Sequence, residues 1–132
     1  MIGLDTNVLI RILVDDGSPQ VAQARQYVSA AAAAGHDFFI DTVVLAETVW
    51  VLDSVFGYRR HDIATVIDAL LGNAAYLLAD REAVMAALAH YRASSADFSD
   101  CLIVARCRAS GCAGTATLDK AMECLPDVVL IR

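Results

Sequence analysis

Apolar and polar positions along the chain follow two spacings, one typical of helices and one typical of buried strands. Residues 60–71 carry apolar side chains three and four positions apart, which predicts an amphipathic helix. Ser18 followed by Pro19 is a typical helix start. Helices are predicted at 18–34, 43–56, 60–71, 81–92, 98–110 and 120–125, and strands at 2–4, 37–40, 75–78, 112–116 and 128–131. This alternation indicates an α/β fold, with helices on both faces of a parallel sheet of four to five strands.

The chain has the length of one domain, because 132 residues bury roughly two thirds of their unfolded surface. No linker or internal repeat divides it, so we expect a single domain over residues 1–132. The longest uncharged stretches are alanine-rich or shorter than the roughly 18 residues of a membrane span. No basic segment followed by an apolar one indicates a secretion signal. We therefore expect a cytoplasmic protein without membrane association.

The charge balance is acidic, with a formal net charge of −6. Proteins that bind nucleic acids usually present a basic face, so this value alone argues against such binding. Bound metal ions or a basic partner would offset the excess of acids. The four cysteines show no zinc-binding spacing, and we expect them to be reduced, structural thiols.

Two acidic residues stand out because their surroundings are apolar. Asp5 follows the first predicted strand, at the edge where parallel α/β sheets bind ligands. Glu47 is the only charged residue between Val43 and Leu52, in a helix apolar enough to be buried nearly all round. A buried carboxylate needs a partner. An arginine would suffice for Glu47, so a structural ion pair stays open for it.

Three further acids lie near predicted helix starts in the second half of the chain. Asp97 and Asp100 are three positions apart and share a face if both are helical. Asp119 follows a predicted strand and precedes a short helix. Helix capping is the alternative for Asp97, and capping by Thr117 or Asp119 is the alternative for the last cluster.

Taken together, these carboxylates predict a metal site. Several carboxylates in one cleft raise each other's pKa unless a cation neutralises them. Oxygen ligands suit Mg²⁺ or Mn²⁺, which bind through a few carboxylates and retain water. Such ions activate water and stabilise charge on a phosphate under attack, so the pattern favours phosphodiester hydrolysis.

Four sequence blocks, taken in order, resemble a PIN domain and more narrowly the VapC toxins of type II toxin–antitoxin systems. The resemblance covers the whole chain, and the blocks are 4–11 (LDTNVLIR), 45–47 (LAE), 97–103 (DFSDCLI) and 117–119 (TLD). It implies a three-layer α/β/α fold and a metal-dependent ribonuclease that inhibits translation. It also implies roles for individual residues: Asp5, Glu47 and Asp100 as the invariant acids, Asp119 as a more variable fourth, Asp97 as an accessory acid, Thr6, Asn7 and Thr117 as polar supports, and Arg11 as a contact to substrate or antitoxin.

The resemblance also implies partners. Members of this group usually form homodimers and pair with a VapB-type antitoxin, which typically inserts a basic residue into the acidic site. DNA would then be bound only indirectly, through the antitoxin.

Two other functions are compatible with an acid after the first strand. An aspartyl-phosphate phosphatase needs a second Asp two residues later, where this chain has Asn7. A phospho-acceptor receiver domain suits the length, the acidity and the late Lys120, but it needs paired acids at the first strand. An experiment that measures both manganese binding and RNA cleavage separates these functions.

Overall fold

The structure, a computed structural model, describes all 132 residues and divides into two compact units, Met1–Ala79 and Asp80–Arg132. None of its helices has the length and apolarity needed to cross a membrane. The first unit contains β1 (Ile2–Gly3), α1 (Thr6–Leu13), α2 (Pro19–Ala33), β2 (Phe38–Ile40), α3 (Thr42–Ser54), α4 (Arg60–Leu71) and β3 (Tyr76–Leu78). The second unit contains α5 (Arg81–Ala93), α6 (Phe98–Ala109), β4 (Thr115–Thr117), a 3₁₀ turn (Lys120–Met122) and β5 (Val128–Leu130).

The first unit is built on a three-stranded parallel sheet in which β2 lies between β1 and β3. Phe38 of β2 pairs with Ile2 on one side and Tyr76 on the other, which fixes the register. Phe38 is also buried, and it belongs to a core cluster with Leu4 and Ala31. Apolar side chains on both faces of short strands are typical of parallel sheets covered by helices.

The second unit combines a parallel pair, β4 and β5, with two helices that pack on each other. Thr115 pairs with Val128 in this ladder. The ring of Tyr91 on α5 meets that of Phe98 on α6 edge to face, with centroids 5.7 Å apart. Both side chains are buried, so this contact lies in the core of the unit.

The predicted α/β class with parallel strands is confirmed, with one difference in the sheet. The five strands form a ladder of three and a ladder of two, where the sequence predicts one sheet of four to five strands. Each strand is only two or three residues long, so each pairing rests on few hydrogen bonds.

Most predicted element boundaries agree with the structure. Helix α4 has the predicted bounds, and Ser18 is the N-cap residue of α2, although its hydroxyl makes no capping hydrogen bond. The strand predicted at 112–116 begins only at Thr115. The reason is that the Cys112 backbone N–H still donates to the Cys107 carbonyl, 3.0 Å away, and so completes the end of α6.

Candidate functional site

Asp5 lies where β1 ends and α1 begins, as predicted. Its backbone is extended and its Oδ1 accepts a hydrogen bond from the Thr6 N–H at 2.9 Å, so it is the N-cap of α1. A carboxylate is favourable there because the first N–H groups of a helix have no partner within the helix. The side chain is exposed, so the expectation that the Asp5 carboxylate is desolvated is wrong.

Glu47 is joined to this helix start through a side-chain hydrogen bond. The Thr6 hydroxyl donates to Glu47 Oε1 at 3.0 Å, although the two residues are 41 positions apart. No arginine of this unit forms an ion pair with Glu47, so the alternative of a structural ion pair receives no support here. The structure thus brings together Asp5, Thr6 and Glu47.

The exposure of Glu47 contradicts the prediction that α3 is buried nearly all round. Leu45, Val49 and Leu52 pack inward, whereas Val43 and Trp50 are 60% and 66% exposed. Positions 43, 47 and 50 share one side of a helix because they are spaced by four and three. Glu47 therefore lies on an exposed apolar side of α3.

Arg11 lies about one and a half turns from the start of α1, and neighbouring side chains hold it in place. Its guanidinium pairs with Asp16 Oδ2 at 3.2 Å and donates to Gln20 Oε1 at 2.9 and 3.3 Å. Its carbonyl oxygen accepts from Arg25 Nε at 3.1 Å, and a second Arg25 nitrogen donates to the Ile12 carbonyl at the same distance. These four side chains tie the end of α1 to α2, which is a structural role.

Asn7 lines a cavity that the sequence analysis did not predict. The cavity has a volume of about 400 Å³ and lies between α1 and α2. Gln20, Gln23 and Tyr27 line it from α2. The spacing of these three residues places them on one side of a predicted helix, and it is the sequence signal that could have revealed this wall of the cavity.

Asp97 and Asp100 stand at the start of α6 in the second unit. Asp97 is the N-cap residue, but its side chain makes no capping hydrogen bond. Asp100 is half-buried in the first turn, and burial raises the pKa of its carboxyl above the ordinary 3.8. The negative charges of Asp97 and Asp119 raise that pKa further. The structure thus brings Asp97 and Asp119 within electrostatic range of Asp100.

Asp119 and Thr117 follow β4 and shape the turn after it. Asp119 Oδ1 accepts from the Ala121 N–H at 2.9 Å, which confirms the capping alternative for this residue. The Thr117 hydroxyl accepts from the Asp119 N–H at 3.0 Å and is 3.3 Å from Met122 Sδ. The cap uses one carboxylate oxygen, so capping is compatible with a second role for Asp119.

The donor chemistry of both acidic groups suits a hard divalent cation. Within either unit, no group of three or more acids, cysteines or histidines lies close enough to hold a metal. Mg²⁺ does not need such a cage, because it is commonly bound through one or two carboxylates plus water and substrate phosphates. Asp5 with Glu47, and Asp100 with Asp119, supply oxygen ligands of that kind.

Comparison with known proteins gives one positive result. No curated protein matches the chain significantly. A family model described as PIN domain matches residues 2–127, which is nearly the whole chain. PIN domains are generally metal-dependent nucleases. The chain therefore belongs to the PIN domain family.

Proposed function

We propose that this protein is a Mg²⁺- or Mn²⁺-dependent endoribonuclease of the VapC toxin type, which hydrolyses RNA phosphodiester bonds and so inhibits translation. The observation that carries the proposal is the electrostatic effect of Asp97 and Asp119 on Asp100, three acids that lie near one another without forming a complete metal site by themselves. The pKa of Asp100 is raised because burial and the other two acids disfavour its charged form. In a chain of a nuclease family, such uncompensated negative charge is the arrangement that a divalent cation stabilises.

The chain's own side chains have distinct tasks in this proposal. Asp5, Glu47 and Asp100 are the proposed metal ligands, while Asp119 and Asp97 assist in binding metal or in orienting water. The bound ion would lower the pKa of a water molecule and stabilise charge on the phosphate. Thr6 orients Glu47 through its hydroxyl, 3.0 Å from the carboxylate.

Asp5→Asn tests the assignment with little change of shape. The amide still accepts a hydrogen bond at the start of α1, so we expect an intact fold and loss of RNA cleavage. Asp53→Asn is the matched control, because Asp53 is an exposed acid of the same unit whose side chain makes no hydrogen bond. Calorimetry should show weaker Mn²⁺ binding by Asp5→Asn than by the unmodified chain, and unchanged Mn²⁺ binding by Asp53→Asn. Cleavage by folded Asp5→Asn at the wild-type rate would contradict the assignment.

Two further assays, run beside the RNA-cleavage assay, test the two alternative functions. The family match favours a nuclease over a phosphatase or a receiver domain. Hydrolysis of p-nitrophenyl phosphate without RNA cleavage would support the phosphatase. Incorporation of phosphate from acetyl phosphate into Asp5, without RNA cleavage, would support the receiver domain.

We also propose a homodimer and inhibition by a basic, VapB-type antitoxin. The net charge of −6 supports such an inhibitor, because opposite charges favour association. DNA binding would then require the antitoxin. Light scattering of the purified chain measures the oligomeric state, and coexpression with a basic protein from the adjacent reading frame tests the neutralisation of toxicity.

A further inference from the structure

The cavity between α1 and α2 has the size and the lining of a small-molecule site. Its volume of about 400 Å³ falls in the ordinary range of ligand pockets. Val8 and Ala24 contribute apolar surface, and Tyr27 contributes an aromatic ring. Tyr27 is 55% exposed, so much of the residue remains accessible to a ligand.

The polar groups in this cavity are mainly amides. Asn7, Gln20 and Gln23 line the cavity, although the Gln20 amide oxygen already accepts two hydrogen bonds from Arg11. An amide offers both a donor and an acceptor, which is the pairing that the edge of a nucleobase presents. An aromatic ring beside the amides supplies a stacking surface for any base.

The cavity has one cation in its wall, and that cation is already engaged. Arg11 is paired with Asp16 at 3.2 Å and hydrogen-bonded to Gln20 at 2.9 Å. Its charge is therefore compensated within the unit, which disfavours a phosphate as the occupant. A flat, neutral ligand with hydrogen-bonding edges fits this wall better than an anion does.

The cavity also lies beside the candidate metal ligands of the first unit. Measured along the axis of α1, Asn7 lies roughly 3 Å and Arg11 roughly 9 Å beyond Asp5, at 1.5 Å of rise per residue. Successive bases in a stacked strand are about 3.4 Å apart. A strand with a phosphate at Asp5 would therefore place a base at this cavity within one to three nucleotides.

We propose that the cavity binds one unpaired nucleobase of the RNA substrate, next to the bond that is cut. The base stacks on Tyr27, and the amides of Asn7 and Gln23, together with the NH₂ group of Gln20, contact its edge. This inference rests on the proposed ribonuclease function, since it assigns a base to one side of that site. It makes the cavity a determinant of which sequence is cleaved.

The test is nuclear magnetic resonance of the ¹⁵N-labelled chain without metal. Each of the four nucleoside 5′-monophosphates is added in turn, with ribose 5-phosphate as the control that lacks a base. We expect at least one nucleotide to shift the side-chain amide signals of Gln20 and Gln23, and ribose 5-phosphate to leave them unchanged. Tyr27→Ala should weaken this binding about tenfold or more, whereas Tyr27→Phe keeps the stacking ring and should bind normally.

The outcomes separate the two proposals. Equal shifts from ribose 5-phosphate would overturn the base site. So would nucleotide shifts confined to other residues. RNA cleavage without nucleotide binding at the cavity would leave the ribonuclease standing and refute the base site. If the unmodified chain binds a nucleotide but cuts no RNA, and folded Tyr27→Ala no longer binds that nucleotide, the site in the cavity is supported and the ribonuclease is refuted.

Discussion

Replacing Gly114 by alanine should destabilise the second unit, because a side chain has no room there. A Cβ at this position would lie 2.6 Å from the carbonyl oxygen of Asp127, a backbone atom. That carbonyl also accepts the hydrogen bond from the Thr115 N–H at 2.9 Å, which begins the pairing of β4 with β5. The backbone of Asp127 is left-handed, with φ at 58°, so its carbonyl cannot move away freely.

The size of the effect follows from two contributions. Inserting a methyl group into a tight backbone contact costs about 1–3 kcal/mol. Losing the Thr115 hydrogen bond adds about 0.5–1.5 kcal/mol. We therefore expect the free energy of unfolding to fall by about 1.5–4.5 kcal/mol. With a urea dependence of about 2 kcal/mol per molar, the unfolding midpoint should fall by about 1–2 M.

Urea unfolding followed by circular dichroism measures this shift. Gly3→Ala is the matched control, because it is also a strand-associated glycine and a Cβ there meets nothing within 4 Å. Its midpoint should stay close to that of the unmodified chain. Equal midpoints for Gly114→Ala and Gly3→Ala would refute the reasoning from the contact with Asp127.

Two further predictions concern the candidate site. The pKa of Asp100 is raised in the folded chain, so the fold loses stability as pH rises from the ordinary 3.8 through that raised value. Asp100→Asn should therefore raise the urea midpoint at pH 7 and leave it unchanged at pH 3. An equal rise of the midpoint at both pH values would contradict the raised pKa as the cause. Thr6→Val removes the hydroxyl that contacts Glu47 and should reduce RNA cleavage about five- to tenfold, by roughly the strength of one hydrogen bond. Thr6→Ser keeps the hydroxyl, and equal losses in both variants would show that the contact does not matter.

Helix positions could be predicted because local signals agreed with each other. The bounds of α4 follow from the spacing of its apolar residues and from Gly72, which ends it. Likewise, Asp5 could be placed at the end of β1 because apolar runs flank it on both sides. Glu47, Asp100 and Asp119 lie on helices or at a helix start as predicted, whereas helix α1, which begins directly after Asp5, was not among the predicted helices.

Exposure was harder to predict, because it depends on tertiary contacts. The apolar sequence of α3 suggested burial on every side, yet Val43 and Trp50 are exposed. The hydrogen bond from Thr6 to Glu47 joins residues far apart in sequence, and no local pattern reveals it. The strand after α6 was placed too early, because the turn that ends α6 includes Cys112.

The contacts of Arg11 and Arg25 have a consequence for heat sensitivity. Helix α1 has only eight residues, which is too short to be stable alone. Its first residues present Asp5 and Thr6, while its last carbonyls are held by Arg25. Local opening at that far end would release the helix without unfolding the sheet. We therefore expect cleavage to decline on warming before the fold melts, so that the working temperature is set in part by how firmly these two arginines hold the end of α1.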